Sequence, residues 1–578
     1  MSGKVSFGKG DEMITLVTAT RSLRPHRDPR VRDQIKLDDK IVVFLCRCGG
    51  AISEKIDVDS IAKEISDQDN KTVAYVLDFA CSSNGKEKIK RILKECGAGR
   101  FVIAGCSPKT HELIFRDLAI EVCINPFMFE MANIREQCAF VHRKEDALPK
   151  ARALLNAAIA KCKLLIPSPY DRLPVISQRV LVIGNSITAI EAATRIVEEG
   201  IEVIVVNPEN DFSLEKSGMV CNGELIESMQ ARLQRLKSNP LVKIFTNAEI
   251  IDFSGHAGQF RALVSIGTEE NDIECGAVIL AMDSISQEDS DKIFKEKGII
   301  PLALLEKSET VGTDDHHRIV ILLTRSENSG SCGVNKDSDV FKMAIRIKQL
   351  NPKSEITIIC RDVRTYGLHE LTFKKAQEEN IRVIRTETDV RIEKNQGFDV
   401  LVDDASSGLT LRIPADIVAS DVPKIATRTT AIASILRVPL TGNGFFKKTQ
   451  VKLKPAATIQ EGIFLCGSAA EYSLAMEFLL DAHAAASRAA ALVKSNYIEI
   501  GGAVAEVNPE KCSACLTCVR SCPYEAPFIG EAGKAEIEME KCQGCGICVG
   551  ICPSRAIEMY FYSDAQLTAQ VRSIARGS

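Results

Sequence analysis

The sequence predicts an α/β protein of several domains. A two-part dinucleotide-binding core is flanked by a small α/β domain before it and a cysteine-rich α+β domain after it. Three observations predict this. From Ile41 onward, short apolar runs alternate with helical patterns, the signature of parallel α/β units. Arg179 to Val206 reads as strand, glycine turn, helix and strand. Eight cysteines fall between Cys512 and Cys552, as Cys512-x2-Cys515-x2-Cys518-x3-Cys522-Pro and Cys542-x2-Cys545-x2-Cys548-x3-Cys552-Pro.

The chain has 578 residues, too many for one core, and should split into roughly three to five domains. Hydrophobic residues make up 45% and charged residues 26%, the balance of a soluble globular protein, and a net charge of −4 gives no reason to expect nucleic acid or a membrane surface. The most apolar stretch, Phe478 to Val493, carries Asp481, His483 and Arg488 and is shorter than a ~20-residue bilayer span. Asp11 and Glu12 stand where a signal peptide would be basic, so no export signal is read. The 21 cysteines are therefore expected as thiols or metal ligands in a reducing cytoplasm.

Residues 1–40 hold Arg21, Arg24, Arg27, Arg30 and Arg32 around Pro25 and Pro29 without periodicity, and predict an extended arm, either docked on a partner or solvated. Residues 41–166 predict the small α/β domain. Its apolar runs Ile41–Leu45, Val73–Leu77 and Phe101–Ala104 end near Cys46 and Cys48, Cys81, and Cys106. Ligands of parallel sheets gather at the carboxyl ends of strands. Four thiolates there would make an iron–sulfur site; the alternative is that they are small buried residues. Cys96, Cys123, Cys138 and Cys162 lie in helical or mixed surroundings and read as ordinary. Leu148–Leu165 predicts a packing helix, and Pro167 and Pro169 mark the next boundary.

Residues 167–495 predict the dinucleotide-type core, with a second α/β unit inserted at about 318–420. Gly184 supplies the tight turn and Ala189 permits close helix–strand packing. Ser186, however, replaces a second glycine that would face a pyrophosphate, and Asn207 replaces an acidic residue that would bind ribose hydroxyls. Either a nucleotide such as FAD sits here, or the fold persists without its ligand. Strands are expected at Lys243–Phe253, Phe260–Ile266, Ala277–Ala281, Arg318–Thr324, Ile356–Arg361 and Ile381–Arg385, and a helix near Phe341–Leu350. The polar interval Asp283–His317 reads as a linker, and Gly330–Gly333 as a surface turn. A late strand from Gly462 enters the turn Gly467-Ser468, where Ser468 or a backbone N–H would contact a flavin ribose.

Residues 496–578 predict a double-cluster domain and tail. Four thiolates must converge on each 4Fe–4S cube, and in two-cluster ferredoxins the fourth Cys of each run ligates the other cluster. Cys522 then belongs with the second triplet and Cys552 with the first. Zinc ribbons leave two runs of this spacing unexplained, and a disulfide framework belongs to small secreted chains.

The motifs CxCGG at Cys46, ACSSNG at Ala80, CSPKTHE at Cys106–Glu112, MANIREQC at Met131–Cys138 and RDVRTYG at Arg361–Gly367, with the double ferredoxin, resemble the A-type subunits of heterodisulfide reductase from about Ile41 to Ile557. The resemblance implies a cytoplasmic iron–sulfur flavoprotein with a core of the FAD/NAD-linked reductase type, working within a larger complex. It implies two C-terminal clusters, a third at Cys46, Cys48, Cys81 and Cys106, and FAD. Its implied partners are B- and C-type subunits and a hydrogenase, dehydrogenase or ferredoxin that brings electrons in. This chain departs from the pattern at Gly184-Asn-Ser186, in the shortened stretch Ser217–Gly223, at the single Cys332, and in lacking an inserted ferredoxin module. It therefore resembles a reduced relative that relays electrons, with or without flavin, and no catalytic residue is assigned. Two other readings compete, a self-contained FAD/NAD(P)H oxidoreductase and a structural scaffold. Against the first, no redox Cys pair follows the dinucleotide turn.

Overall fold

The computed structural model describes residues 40–578 apart from 69, 213–222, 283–298, 306–316, 324–335, 366, 395–396, 421–428, 443, 450–452, 471–474 and 578. The arm at 1–39, positions 217–222, the Gly330–Gly333 turn and most of the interval Asp283–His317 lie outside the described residues. The chain forms two compact units, Met1–Asp171 with Glu499–Ser578, and Arg172–Ile498. No described helix is long and apolar enough to cross a membrane.

The first unit begins with β1 (Ile41–Cys46), α1 (Val58–Gln68), β2 (Thr72–Leu77), α2 (Ser83–Cys96), β3 (Arg100–Gly105), α3 (Pro108–Glu121), β4 (Phe129–Asn133) and α4 (Lys144–Cys162). The strands form one parallel sheet in the order β2-β1-β3-β4. Strands β1 and β3 are buried throughout because helices cover both faces, which is why they read as unbroken apolar runs. Ser82 caps α2 by accepting the Gly85 N–H at 3.0 Å, and Gly97 ends it in the left-handed region. Ser107 caps α3, with Pro108 opening the helix.

Gly85 lies against the turn that carries Cys81, where a Cβ would stand 2.0 Å from the Phe79 carbonyl oxygen. Gly85→Ala should therefore cost about 2 kcal/mol despite its better helix propensity. Hydrogen exchange should find the amides of the Phe79–Gly85 turn exchanging faster in the variant than in wild type.

The second unit holds β5 (Val180–Ile183), α5 (Ile187–Glu198), β6 (Val203–Val206), α6 (Gly223–Lys237), β7 (Val242–Phe245), the meander β8 (Ala248–His256), β9 (Gln259–Ile266) and β10 (Glu269–Cys275), then β11 (Ala277–Leu280). After β12 (Ile300–Pro301) come β13 (Arg318–Leu322), α7 (Lys336–Leu350), β14 (Glu355–Cys360), α8 (His369–Glu378), β15 (Arg382–Arg385), the meander β16 (Arg391–Lys394), β17 (Phe398–Asp403) and β18 (Thr410–Ala415), and β19 (Ile417–Ser420). Strand β20 (Ile463–Leu465) and helix α9 (Ala475–Lys494) complete it.

The two parallel sheets run β20-β11-β5-β6-β7 and β12-β19-β13-β14-β15, each with its own antiparallel meander. The same order of four strands is thus used twice, with the fifth strand coming last in the first sheet (β20) and first in the second (β12). The second copy interrupts the first, whose last strand, β20, is laid down only when the chain returns. Buried Glu191 on α5 draws in Arg195, Arg232 and His483, so α5 and α9 are joined by a polar contact as well as packing.

Two expectations change. The run Lys243–Phe253 is not one strand, because Asn247 takes a φ of +49° and turns the chain between β7 and β8. The polar segments of β10 and β16–β18 form sheet that their composition did not signal.

The first unit closes with β21 (Ala505–Val507), α10 (Thr517–Ser521), β22 (Pro527–Ile529), β23 (Ala535–Ile537), α11 (Ile547–Ile551), β24 (Ile557–Met559) and α12 (Asp564–Gly577). Each element of the first half recurs 30 positions later (542 − 512), and the halves interleave, since β21 pairs with β24 and β22 with β23. Helix α12 packs along α4. The buried Lys161 ammonium pairs with Glu130 at 2.7 Å and lies 3.8 Å from the Phe561 ring centroid and 4.5 Å from that of Tyr562.

Candidate metal centres

In the C-terminal segment a pocket is lined by Cys512, Cys515, Cys518 and Cys552, so the fourth thiol comes from the second run. Cys522 lies instead within electrostatic reach of Cys542 and Cys548, whose deprotonation its charge opposes. The backbone explains the wrap. Ala514 and Leu516 take φ values of +54° and +63°, and Gly544 and Gly546, at the equivalent places, take +64° and +75°. Each left-handed pair folds the loop so that three thiols face one centre. The first loop does this with Ala514 and Leu516, whose side chains make the left-handed region sterically costly.

Burial pushes the Cys548 thiol up to about 12, and like-charged neighbours add to it. Tyr524, beside Cys545 and Cys522, is also pushed up to about 12, mainly by burial. The Thr517 hydroxyl holds exposed Cys515 below the usual thiol range. Backbone N–H groups of Ala514 and Ala556 point at the Cys512 and Cys552 sulfurs at 3.4 and 3.3 Å. Hydrogen bonds to sulfur of this kind stabilise thiolate ligands.

Among the described residues no three His, Cys, Asp or Glu side chains meet closely enough to hold a single metal ion. The thiols stand around a pocket instead, a donor set that fits the larger body of a 4Fe–4S cluster.

In the N-terminal sheet the central strand β1 ends at Cys46, and Cys48 follows in the left-handed region at φ +52°. Cys81 follows β2 by four residues, in the capping turn of α2, and Cys106 follows β3 directly. Gly105 lies beside Cys46, where a Cβ would be in ordinary contact at 3.5 Å from that of Cys46. Burial raises the Cys46 thiol and the charges of Cys48 and Cys81 add to it, and the charge of Cys81 adds likewise at Cys106, so the four thiols share one locality. The Cys46 sulfur accepts the Ala80 N–H at 3.4 Å, and Cys48 accepts from Arg135 at 3.1 Å. Burial lifts Cys106 to about 11, opposed by the Arg135 charge. These donors also fit a cluster.

Sequence reasoning missed Arg135. The only signal was its place inside the MANIREQC motif. Of the cysteines read as ordinary, Cys138 and Cys162 are buried and bonded to the Ala147 and Phe101 carbonyls, and Cys96 meets the Tyr75 hydroxyl.

The dinucleotide turn is closed on itself. Gly184 is obligatory, because a Cβ would meet the Ala281 carbonyl oxygen at 2.2 Å. Ser186 donates to that same carbonyl at 2.7 Å and lies 2.6 Å from the Thr188 hydroxyl. Thr188 in turn fills the space beside Gly467, where a Cβ would stand 2.6 Å from its oxygen. Ser468 donates to the Met282 carbonyl at 3.3 Å, and Ala189 is buried in the helix–sheet core. Ser186 is therefore the point of misfit for a pyrophosphate, since a side chain engaged with the protein stands where a bare backbone is needed. Asn207 is fully buried; its carboxamide oxygen accepts from the Glu209 N–H at 2.8 Å, while its Nδ2 has no partner.

A family model described as a 4Fe-4S dicluster domain matches residues 505–553. Over most of its length the chain is similar to proteins named as A-type subunits of heterodisulfide reductase. It is 25% identical to the Methanosarcina acetivorans protein named as the A-type subunit of ferredoxin:CoB-CoM heterodisulfide reductase, covering 93% of this chain and 84% of that one. It is 28% identical to a Methanopyrus kandleri protein named as an iron-sulfur A-type subunit of CoB--CoM heterodisulfide reductase, covering 85% and 91%. Among solved structures, a thioredoxin reductase from T. acidophilum overlaps 55% of this chain and all of its own at 16% identity and a TM-score of 0.36. The doubled strand order, rather than that overlap, defines the fold.

Proposed function

We propose that this chain is an iron–sulfur electron-transfer component of a multi-subunit oxidoreductase related to heterodisulfide reductase, and that it relays electrons between cluster sites within its first compact unit. The observation that carries this reading is the crossed pair of four-thiol sets in a segment matching a dicluster domain. When bound, such clusters supply one-electron redox chemistry. The protein holds the thiols, shields them and fixes their separation.

Cys515 and Cys545 are exposed, which suits one-electron exchange with a partner at the surface. The names of the Methanosarcina relatives include ferredoxin, and a small ferredoxin is the donor or acceptor proposed there. At the other end Phe79, Phe140 and Val141 are exposed, with Phe79 against Gly49 and Phe140 beneath Arg135. This apolar rim beside the N-terminal thiols supports docking of a B- or C-type subunit.

The two ends are linked inside the unit. Gly544 of the second run lies on the Ala503 carbonyl, and neighbouring Gly502 lies on the Phe127 ring of the N-terminal domain. The Phe127 contact meets the sheet at the amino end of β4, while the thiols lie at the carboxyl ends of β1–β3, so the relay proposed between the C-terminal and N-terminal sites runs the length of the sheet inside this unit. In a second reading FAD occupies the dinucleotide fold, favoured by the partnerless Nδ2 of Asn207 at a strand end where ribose hydroxyls bind. It requires Ser186 to leave the Ala281 carbonyl.

Iron, sulfide and flavin content of anaerobically purified protein tests these readings. Roughly twelve irons without flavin, at four irons per cluster, is the expected result. About eight irons would remove the N-terminal site, and one flavin per chain would favour the second reading.

A further inference from the structure

We propose that Arg135 sets the reduction potential of the N-terminal site, through the guanidinium N–H that it aims at the Cys48 sulfur. The proposal rests on the reading that Cys46, Cys48, Cys81 and Cys106 hold a cluster.

Three features place the arginine. Asn133, at the end of β4, accepts the Glu136 N–H at 2.9 Å and starts a wide π-turn over Arg135–Ala139, a rare geometry that recurs at functional sites. Glu136 then takes the Nε and Nη2 edge of Arg135 at 2.9 and 2.6 Å. The Phe140 ring lies 5.8 Å from the guanidinium carbon. With that edge engaged, Nη1 points at Cys48 at 3.1 Å. Cys48 is equally fixed, because its left-handed backbone is followed by Gly49, which packs against Phe79 so closely that a Cβ would lie 2.6 Å from the ring.

An ordinary ion pair with Glu136 would leave the remaining donor in solvent. Here it meets a sulfur that sequence and topology both assign as a ligand. The charge also reaches Cys106, where it acts against burial and against Glu136. The other nearby guanidinium, Arg47, is taken up by Asp59 and Asp78. Arg135 is therefore a positive group turned on the site, with the negative Glu136 beside it.

Reduction adds an electron to a site already negative from its thiolates. A cationic N–H···S bond favours that reduced form, and hydrogen bonds to sulfur and net charge are what set cluster potentials. Removing it should lower the potential of this site alone.

The test is an EPR-monitored redox titration of anaerobic full-length protein as wild type, R135Q and R135K, with the N-terminal signal identified by its loss in Cys81→Ser. In R135Q the one-electron reduction constant should fall on the order of tenfold, about 59 mV. R135K should retain part of the effect, and the C-terminal signals should not move. An unchanged N-terminal potential in R135Q with its iron retained overturns the proposal.

If R135Q loses that iron, wild type labelled with guanidino-15N arginine decides. A 15N hyperfine coupling to the reduced N-terminal signal supports the contact, and its absence overturns it. Wild type with iron for two clusters, and no signal lost in Cys81→Ser, would instead remove the underlying site. The iron count separates that outcome from a failure of the Arg135 role.

Discussion

Cys552→Ala should empty the first cysteine set and leave the second intact, although Cys552 lies in the second run. The pocket lined by Cys512, Cys515 and Cys518 is completed by Cys552, while Cys522 is electrostatically coupled to Cys542 and Cys548. Each single variant should lose roughly four irons, the content of one cluster. Pairing makes the test strict. Cys552→Ala with Cys515→Ala should lose no more than either alone, because both serve one site. Cys552→Ala with Cys545→Ala should lose roughly eight irons, the content of two clusters. Iron analysis with EPR of the reduced proteins reads both, and the reverse pattern, roughly eight irons lost with Cys515→Ala and four with Cys545→Ala, would rule out the crossed arrangement.

Lys161→Ala should release α12 from α4. The lysine is buried, it is the ionic partner of Glu130, and it lies against Phe561 and Tyr562. Removing it strands a buried carboxylate and deletes two cation–π contacts. Breaking one half of such a pair costs roughly 3 kcal/mol or more. Hydrogen exchange in full-length protein measures this locally, where a global unfolding midpoint would mix two units. Amides of Asp564–Gly577 should exchange on the order of a hundredfold faster, by the usual conversion of about 1.4 kcal/mol per decade. Lys161→Met with Glu130→Gln, which removes both charges, should recover most of the protection. Unchanged exchange in Lys161→Ala would show that apolar packing alone holds the helix.

The parts legible in the sequence are those whose physics is local. Strands β1 and β3 are buried on both faces and so read as continuous apolar runs. The two cysteine runs are spaced by the loops that wrap a cluster. Gly184 announces a turn that tolerates no side chain. Strand β10, with the sequence EENDIEC, was not legible because most of its side chains stay partly or fully exposed and its pairing with β9 supplies the order. Asn247 breaks a run that looks like one strand, by a backbone angle that composition does not reveal. The replacement of glycine by Ser186 was visible. What closes the turn is the Ala281 carbonyl, 95 positions away in the chain. Lys161 near the end of an amphipathic helix looks like a solvent-facing charge, and only the fold brings Glu130 and Phe561 to it. Arg135 was hidden for the same reason, since its target sulfur lies 87 positions earlier.

If electrons pass between the C-terminal and N-terminal sites inside one unit, without a ligand in the dinucleotide fold, the transfer should be visible in time. Rapid freeze-quench EPR on flavin-free full-length protein, given one electron equivalent through reduced ferredoxin, follows it site by site. C-terminal signals should appear first and then decay into the N-terminal signal of the same sample. An N-terminal signal that never develops, or that develops only after FAD is added back, would refute a relay through the first unit alone.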